Sequence, residues 1–162
     1  MAGPRIALLL SGLPSDLTAG VSAVQLAGRT ESRLFVLQNQ GGEGEQLDGC
    51  RFVTEFAALE EVRTNCHLLN EGTVTELADL LIANAITWLV VGVWPEESRP
   101  RQNEWLDQLR ARLRESPDRF CPELQIIVAP PLAEGDLERI ISQSRRLSHL
   151  AARKNQEKGK KR

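Results

Sequence analysis

Apolar and polar residues alternate in blocks along the chain. Short apolar runs of strand length are separated by longer segments whose apolar residues recur at helical spacing. The apolar runs predict five buried strands: Arg5 to Leu10, Arg33 to Gln38, Cys66 to Leu69, Trp88 to Val93 and Leu124 to Ala129. Because strands that are apolar throughout need cover on both faces, the pattern predicts a doubly wound α/β fold with a mainly parallel five-stranded sheet.

The segments between the strands carry helix signals. Thr73 and Glu76 match a capping box, and the apolar residues that follow have the most regular helical spacing in the chain. Asn39 to Gly49 contains four glycines and three acids, which predicts a surface loop. Another predicted helix starts at Ser15 or Asp16 and ends before Gly28. Three more are predicted over Phe52 to Val62, Gln102 to Glu115 and Glu134 to Ala152.

The net charge of -2 averages two different regions. Residues 145 to 162 hold eight basic groups and one acid, whereas residues 1 to 144 hold 12 basic and 21 acidic groups. We therefore predict an α/β domain over residues 1 to 132, an added C-terminal helix over 133 to 153 and a basic disordered tail over 154 to 162.

Several protein classes lack their sequence signals. No apolar run is long enough to span a bilayer, and the N-terminal run is too short for a signal peptide, so we expect a cytoplasmic protein. The three cysteines are widely spaced, which predicts reduced thiols rather than a disulfide framework or a zinc site. The sequence contains no dinucleotide, P-loop or hydrolase motif, and His67 and His149 lack nearby metal ligands. We predict that the chain is not an enzyme.

The order of these segments resembles the universal stress protein family over residues 4 to 130. The resemblance rests on RIALLLSG, RLFVLQ, HLLNEGTVTELADLLIANAITWLVVGV and LQIIVAPP. It implies a small cytoplasmic α/β protein involved in stress responses, usually dimeric through its last strand. The resemblance therefore predicts a dimer interface at Leu124, Gln125, Ile126, Ile127 and Val128.

Many members of that family bind ATP through a glycine-rich loop of the form G-x2-G-x9-G-[ST]. Gly92 matches the first glycine, but Pro95 stands at the second, and no further glycine occurs before Gly135. Proline offers no N–H, and the acids at 96 and 97 would repel a triphosphate. The chain is thus predicted to be a degenerate member that lacks the ATP loop and binds no cofactor.

A ligand would still be expected at the carboxyl ends of the strands, where strand order reverses. The candidate residues at this point are Ser11, Gly12, Gly92, Val93, Trp94, Arg99 and Arg101. Arg99 and Arg101 could hold phosphates if the family's loop were altered. Whether the cleft is open or filled by Pro95 and the following residues is left undecided by the sequence.

Three functional hypotheses result. The first is a non-catalytic regulatory or binding domain that forms a homodimer and acts through contact with a protein partner, without binding ATP. The second is an ATP-binding stress-signalling domain with an altered phosphate loop. The third is an adaptor tethered to a membrane protein or a polyanion by its basic tail, through Lys154, Lys158, Lys160, Lys161 and Arg162.

Overall fold

A computed structural model describes most of the predicted α/β domain. The described residues are 4–12, 15–39, 45–70, 73–115, 124–130 and 139. The strands are β1 (Ile6–Leu10), β2 (Leu34–Asn39), β3 (Thr64–Leu69), β4 (Trp88–Gly92) and β5 (Gln125–Ala129). The helices are α1 (Asp16–Thr30), α2 (Glu45–Leu59), α3 (Val74–Ala83) and α4 (Arg99–Arg114), with a 3-10 turn at Glu96–Ser98.

The five strands form one parallel sheet in the order β3-β2-β1-β4-β5. Strands β2 and β3 lie on one side of β1, and β4 and β5 lie on the other. Strand order therefore reverses between β1 and β4, which pair side by side from Ile6 and Trp88 onwards. The predicted doubly wound α/β class is confirmed, with every pair of neighbouring strands parallel.

Alternate residues of β1, β2 and β4 contribute to two separate hydrophobic cores, one on each face of the sheet. Ile6, Leu8 and Leu10 point to the core shared with α1 and α2. Ala7 and Leu9 point to the opposite core, which contains residues of α3 and α4. Because both faces of β1 are covered, all five of its residues are buried.

Helix α2 corrects one prediction. Its backbone begins at Glu45, so the C-terminal part of the predicted loop at Asn39–Gly49 is helical. Val53 and Phe56 anchor this helix in the core. Extending an anchored helix adds one hydrogen bond per residue, which outweighs the weak local preference of a glycine for a loop.

Strand β3 and helix α4 also begin earlier in the chain than predicted. Strand β3 starts at Thr64, where it pairs with Leu34 of β2. Helix α4 starts at Arg99 with Pro100 in its first turn, where a missing N–H costs no helical hydrogen bond. Apart from residue 139, the predicted helix at 134–152 lies outside the described residues, as does the tail at 154–162.

Three helices end in the same way without glycine. Glu31, Glu61 and Ala85 have φ values of 52°, 59° and 52°, in the left-handed region. The next residue then donates to a carbonyl five positions earlier, as Ile86 N does to Leu81 O at 2.9 Å. This is the Schellman arrangement, in which glycine is usual because it avoids the Cβ clash.

Among the described residues, no helix combines the length and apolarity needed to cross a membrane.

Candidate functional site

The candidate site lies at the carboxyl ends of β1 and β4. Ser11 and Gly12 follow β1, and Val93 and Trp94 follow β4. Since Leu9 pairs with Val91, these two segments leave the sheet next to each other. This is the position where doubly wound folds bind ligands. The fold thus brings together the residues that the sequence placed after β1 and β4.

The end of β1 is closed by a carboxylate from the first residue of α1. Gly12 N donates to Asp16 Oδ2 at 2.8 Å, and Ser11 N lies 3.1 and 3.2 Å from the two carboxylate oxygens. Asp16 is only 6% exposed. An ionised acceptor makes such bonds roughly twice as strong as neutral ones. The carboxylate therefore occupies the place at these amides that an anionic ligand group would need.

Ser15, one of the two predicted starts of helix α1, does not cap the helix with its side chain. It stands at the N-cap position of α1 but makes no side-chain capping bond. Its hydroxyl instead donates to Val93 O at 2.7 Å, which joins the start of α1 to the end of β4.

Gly92 provides the space for this contact. A Cβ added at Gly92 would lie 2.4 Å from Ser15 Oγ, 2.8 Å from Ser15 Cβ and 2.9 Å from the Ser15 carbonyl carbon. Real Cβ atoms essentially never approach heavy atoms so closely. The glycine that matches the first position of the ATP loop is therefore packed against the chain's own serine.

Gln102 closes the end of β4 from the other face. It lies in α4 and is 3% exposed. Its amide nitrogen donates to Gly92 O at 3.0 Å, while its amide oxygen accepts from Trp94 N at 3.0 Å. One buried side chain thus satisfies a main-chain acceptor and a main-chain donor where β4 stops.

Tryptophan rings cover the adjacent surface. The ring centroids of Trp94 and Trp105 are 6.0 Å apart and the planes are tilted by 35°. This separation is within the range of favourable aromatic pairs, so Trp94 is engaged with α4. The charged residues that follow β4 are placed differently: all are exposed, namely Glu96, Glu97, Arg99 and Arg101.

The four described main-chain donors that directly follow β1 and β4 all bond within the chain. Ser11 N and Gly12 N donate to Asp16, Trp94 N donates to Gln102, and Val93 N donates to Ala129 O at 2.9 Å. A phosphate-binding loop depends on free N–H groups that converge on the ligand. Any phosphate bound here would have to displace these internal acceptors.

Sequence reasoning missed three of the residues that fill this site. For Asp16 the sequence indicates only a helix start, because its link to the preceding turn requires the chain to fold back. For Trp105 the sequence indicates only a core or interface position in its helix. Gln102 did carry a signal: it shares its helix face with the buried Leu106, Leu109 and Leu113. A polar residue at a core position predicts a buried hydrogen-bonding role.

The predicted dimer strand is an edge strand of the sheet. β5 pairs with β4 alone among the described strands. Ile126 and Ile127 are partly buried, whereas Val128 is 41% exposed. The opposite edge strand, β3, exposes Leu68 by 57%.

Among the described residues, no group of three or more histidine, cysteine or acidic side chains could hold a metal ion. His67 stacks on Phe35 with ring centroids 6.3 Å apart and an interplanar angle of 18°.

The fold resembles known structures although no protein-family model and no curated protein matches the chain. A universal stress protein solved in complex with cAMP superposes with a TM-score of 0.57 at 15% identity, covering 82% of this chain and 100% of its own. A universal stress protein from Archaeoglobus fulgidus, in complex with dAMP, gives a TM-score of 0.53 at 12% identity and coverage of 79% and 98%. One from Burkholderia pseudomallei gives 0.52 at 17%, with coverage of 78% and 95%.

These likenesses define the structural class. The chain is a parallel, doubly wound α/β protein, and its fold is that of the universal stress proteins. The resemblance drawn from the sequence is confirmed as a likeness of fold over nearly the whole length of these relatives.

Proposed function

We propose that the chain is a non-catalytic regulatory or binding domain with the universal stress protein fold, and that it acts through protein contact without binding ATP. The fold that the chain shares with universal stress proteins supports the proposal of a stress-related role. The cytoplasm is the compartment we propose for it, and an interaction domain needs no catalytic group.

The filled site at β1 and β4 carries this proposal. In the part of the chain that the structure describes, the main-chain N–H groups of the two residues after each strand are bonded within the chain. The acceptors Asp16 and Gln102 are buried, at 6% and 3% exposure, so water does not readily replace them. A phosphate would have to overcome both these bonds and the negative charge of Asp16.

The segment after Trp94 gives independent support. Pro95 has no N–H, and the following turn starts with two exposed acids, Glu96 and Glu97. Their charges would repel a triphosphate that approached from this side, although solvent weakens the effect. Main-chain geometry and charge therefore both disfavour a nucleotide at this point.

Thermal unfolding with ATP, ADP, AMP and cAMP, each with and without Mg²⁺, tests the proposal. A ligand at about 100 times its Kd stabilises the folded state by about 2.7 kcal/mol. We expect no saturable increase in Tm for any of the four. A saturable increase, matched by heat release in isothermal titration calorimetry, would overturn the proposal.

A nucleotide-binding domain with an altered loop is the second candidate. Its support is that two structures of similar fold are described as complexes with cAMP and dAMP. Arg99 and Arg101 are exposed beside the candidate site and make no ion pair with another described residue. If this candidate is right, an Arg99→Ala/Arg101→Ala variant loses the nucleotide-dependent increase in Tm, while Arg110→Ala, farther along α4, keeps it.

We also propose that the protein forms a homodimer through β5. The strand presents an unpaired edge in the described sheet and an exposed Val128, and edges of this kind readily pair with another chain. Light scattering after size exclusion should give twice 18.0 kDa. Val128→Lys should shift this mass to the monomer, whereas Leu68→Lys on the opposite edge should leave the dimer intact. A wild-type monomer, or dissociation by Leu68→Lys alone, would contradict this assignment.

The third hypothesis concerns residues outside the described part of the chain. Lys154, Lys158, Lys160, Lys161 and Arg162 form a basic cluster that could contact a polyanion. Deletion of residues 154–162 should then abolish salt-sensitive retention on DNA or anionic vesicles. Equal retention before and after deletion would assign the tail no role in such contacts.

A further inference from the structure

Two cysteines that the sequence separates are in contact in the fold. Cys50 lies in α2 and Cys66 lies in β3, 16 residues further along the chain. Their Sγ atoms are 3.8 Å apart, and both thiols are free. The sequence spacing gave no C-x-x-C signal, so only the packing of α2 beside the edge strand reveals this pair.

The two thiols differ in access to solvent. Cys66 is exposed, whereas Cys50 is only partly accessible. Burial, and then the neighbouring Cys66, raise the pKa of the Cys50 thiol to about 11. Cys50 is therefore protonated at neutral pH, and Cys66 is the thiol that an oxidant in solution reaches first.

We propose that Cys50 and Cys66 form a reversible intramolecular disulfide when the protein meets a hydroperoxide. The Cys66 thiolate attacks the peroxide oxygen, the O–O bond breaks, and Cys66 becomes a sulfenic acid while hydroxide leaves. Cys50 then attacks the Cys66 sulfur. The S–O bond breaks, the hydroxyl leaves as water with the Cys50 proton, and the S–S bond forms. Overall, two thiols are oxidised and hydrogen peroxide is reduced to two waters.

The geometry requires a small movement. The sulfurs must close from 3.8 Å to the disulfide length of about 2.05 Å, and rotation about the two Cα–Cβ bonds is the motion that moves them relative to each other. A dithiol reductant reverses the reaction by thiol–disulfide exchange and is itself oxidised to a disulfide.

The bond would tie α2 to the edge of the sheet. Cys66 pairs through its backbone with Val36 of β2, so the disulfide would connect the helix to two strands. Cross-linking residues 16 positions apart restricts the unfolded chain. We therefore expect the oxidised form to melt several degrees higher than the reduced form.

Peptide mapping gives a direct test. Arg51 and Arg63 both lie between the two cysteines, so trypsin places Cys50 and Cys66 on different peptides unless they are joined. The test uses the full chain with the substitution Cys121→Ser, which removes the third cysteine, a residue outside the described part of the chain. After treatment with hydrogen peroxide, we expect a loss of two hydrogens in intact mass and a joined Cys50–Cys66 peptide that dithiothreitol separates.

Matched variants distinguish this reaction from general thiol oxidation. Cys50→Ser in the same background should stop at a Cys66 sulfenic acid, which dimedone traps. Cys66→Ser should leave Cys50 largely unmodified. The wild-type chain, mapped in the same way, provides the test if a variant folds poorly. The proposal is overturned if peroxide leaves Cys50 open to alkylation while Cys66 accumulates sulfenic or sulfinic acid.

Discussion

The contact between Gly92 and Ser15 gives a sharp test of how the strand ends are filled. Gly92→Ala would place a methyl group within 2.9 Å of three Ser15 atoms, one of them in the backbone. Ser15 is 4% exposed and cannot simply swing into solvent. Overpacking of this kind costs about 1 to 3 kcal/mol. Displacing Ser15 would also break its bond to Val93 O, which adds about 0.5 to 1.5 kcal/mol.

The assay is urea unfolding followed by tryptophan fluorescence. We expect Gly92→Ala to lower the free energy of unfolding by about 2 to 4 kcal/mol with an unchanged m-value. Gly28→Ala is the matched control, since its added methyl would meet only Val62 Cγ2, at 3.8 Å, inside helix α1. That variant should instead gain about 0.5 to 1 kcal/mol from helix propensity.

A double-mutant cycle isolates the cause of the loss. Ser15→Gly removes two of the three close contacts, so it should recover part of the stability lost in Gly92→Ala. The backbone carbon of residue 15 remains at 2.9 Å, so recovery should be incomplete. If Gly92→Ala is neutral or stabilising, the space at Gly92 is free and the proposed filling of the site is wrong.

Two further substitutions, each with a matched control, test contacts in the same fold through the free energy of unfolding. Asp16→Asn keeps the shape but removes the charge that accepts from Ser11 and Gly12, so it should lower the free energy of unfolding by about 1 to 2 kcal/mol. The exposed Asp79→Asn in α3 should change it by less than about 0.5 kcal/mol, and equal effects would contradict the role given to Asp16. Ala85→Gly should raise stability by about 0.5 to 1 kcal/mol, because glycine relieves the strain of φ 52° at the end of α3. Ala83→Gly, inside the same helix, should lower it by up to about 1 kcal/mol, and the same sign in both variants would refute the argument. Urea unfolding measures all four.

The three central strands, β2, β1 and β4, could be predicted because their residues are almost all buried and both faces of these strands are covered. Ile6–Leu10 is apolar at every position, and such a run has few alternatives to an interior strand. The start of α2 at Glu45 could not be predicted, because residues 45–49 are polar or glycine-rich apart from one leucine. Their helicity depends on the anchoring of the following turns in the core.

The position of the candidate site was predictable, but its filling was not. Its place follows from the rule that doubly wound sheets bind ligands where strand order reverses, and the structure puts that reversal beside β1. Whether amides there are free depends on contacts between distant residues, such as Gln102 with Gly92. A motif search registers the missing loop glycines but not the groups that take the place of a ligand.

The sequence by itself determined the α/β class, because the period of its apolar residues is a local property of strands and helices. It also determined that the loop after β4 departs from a glycine-rich phosphate pattern, since Pro95 can be read directly. The tertiary structure alone decided that Asp16, Ser15 and Gln102 occupy the strand ends, and that Cys50 meets Cys66. These contacts join elements whose relative placement depends on packing the whole sheet, so no local pattern encodes them.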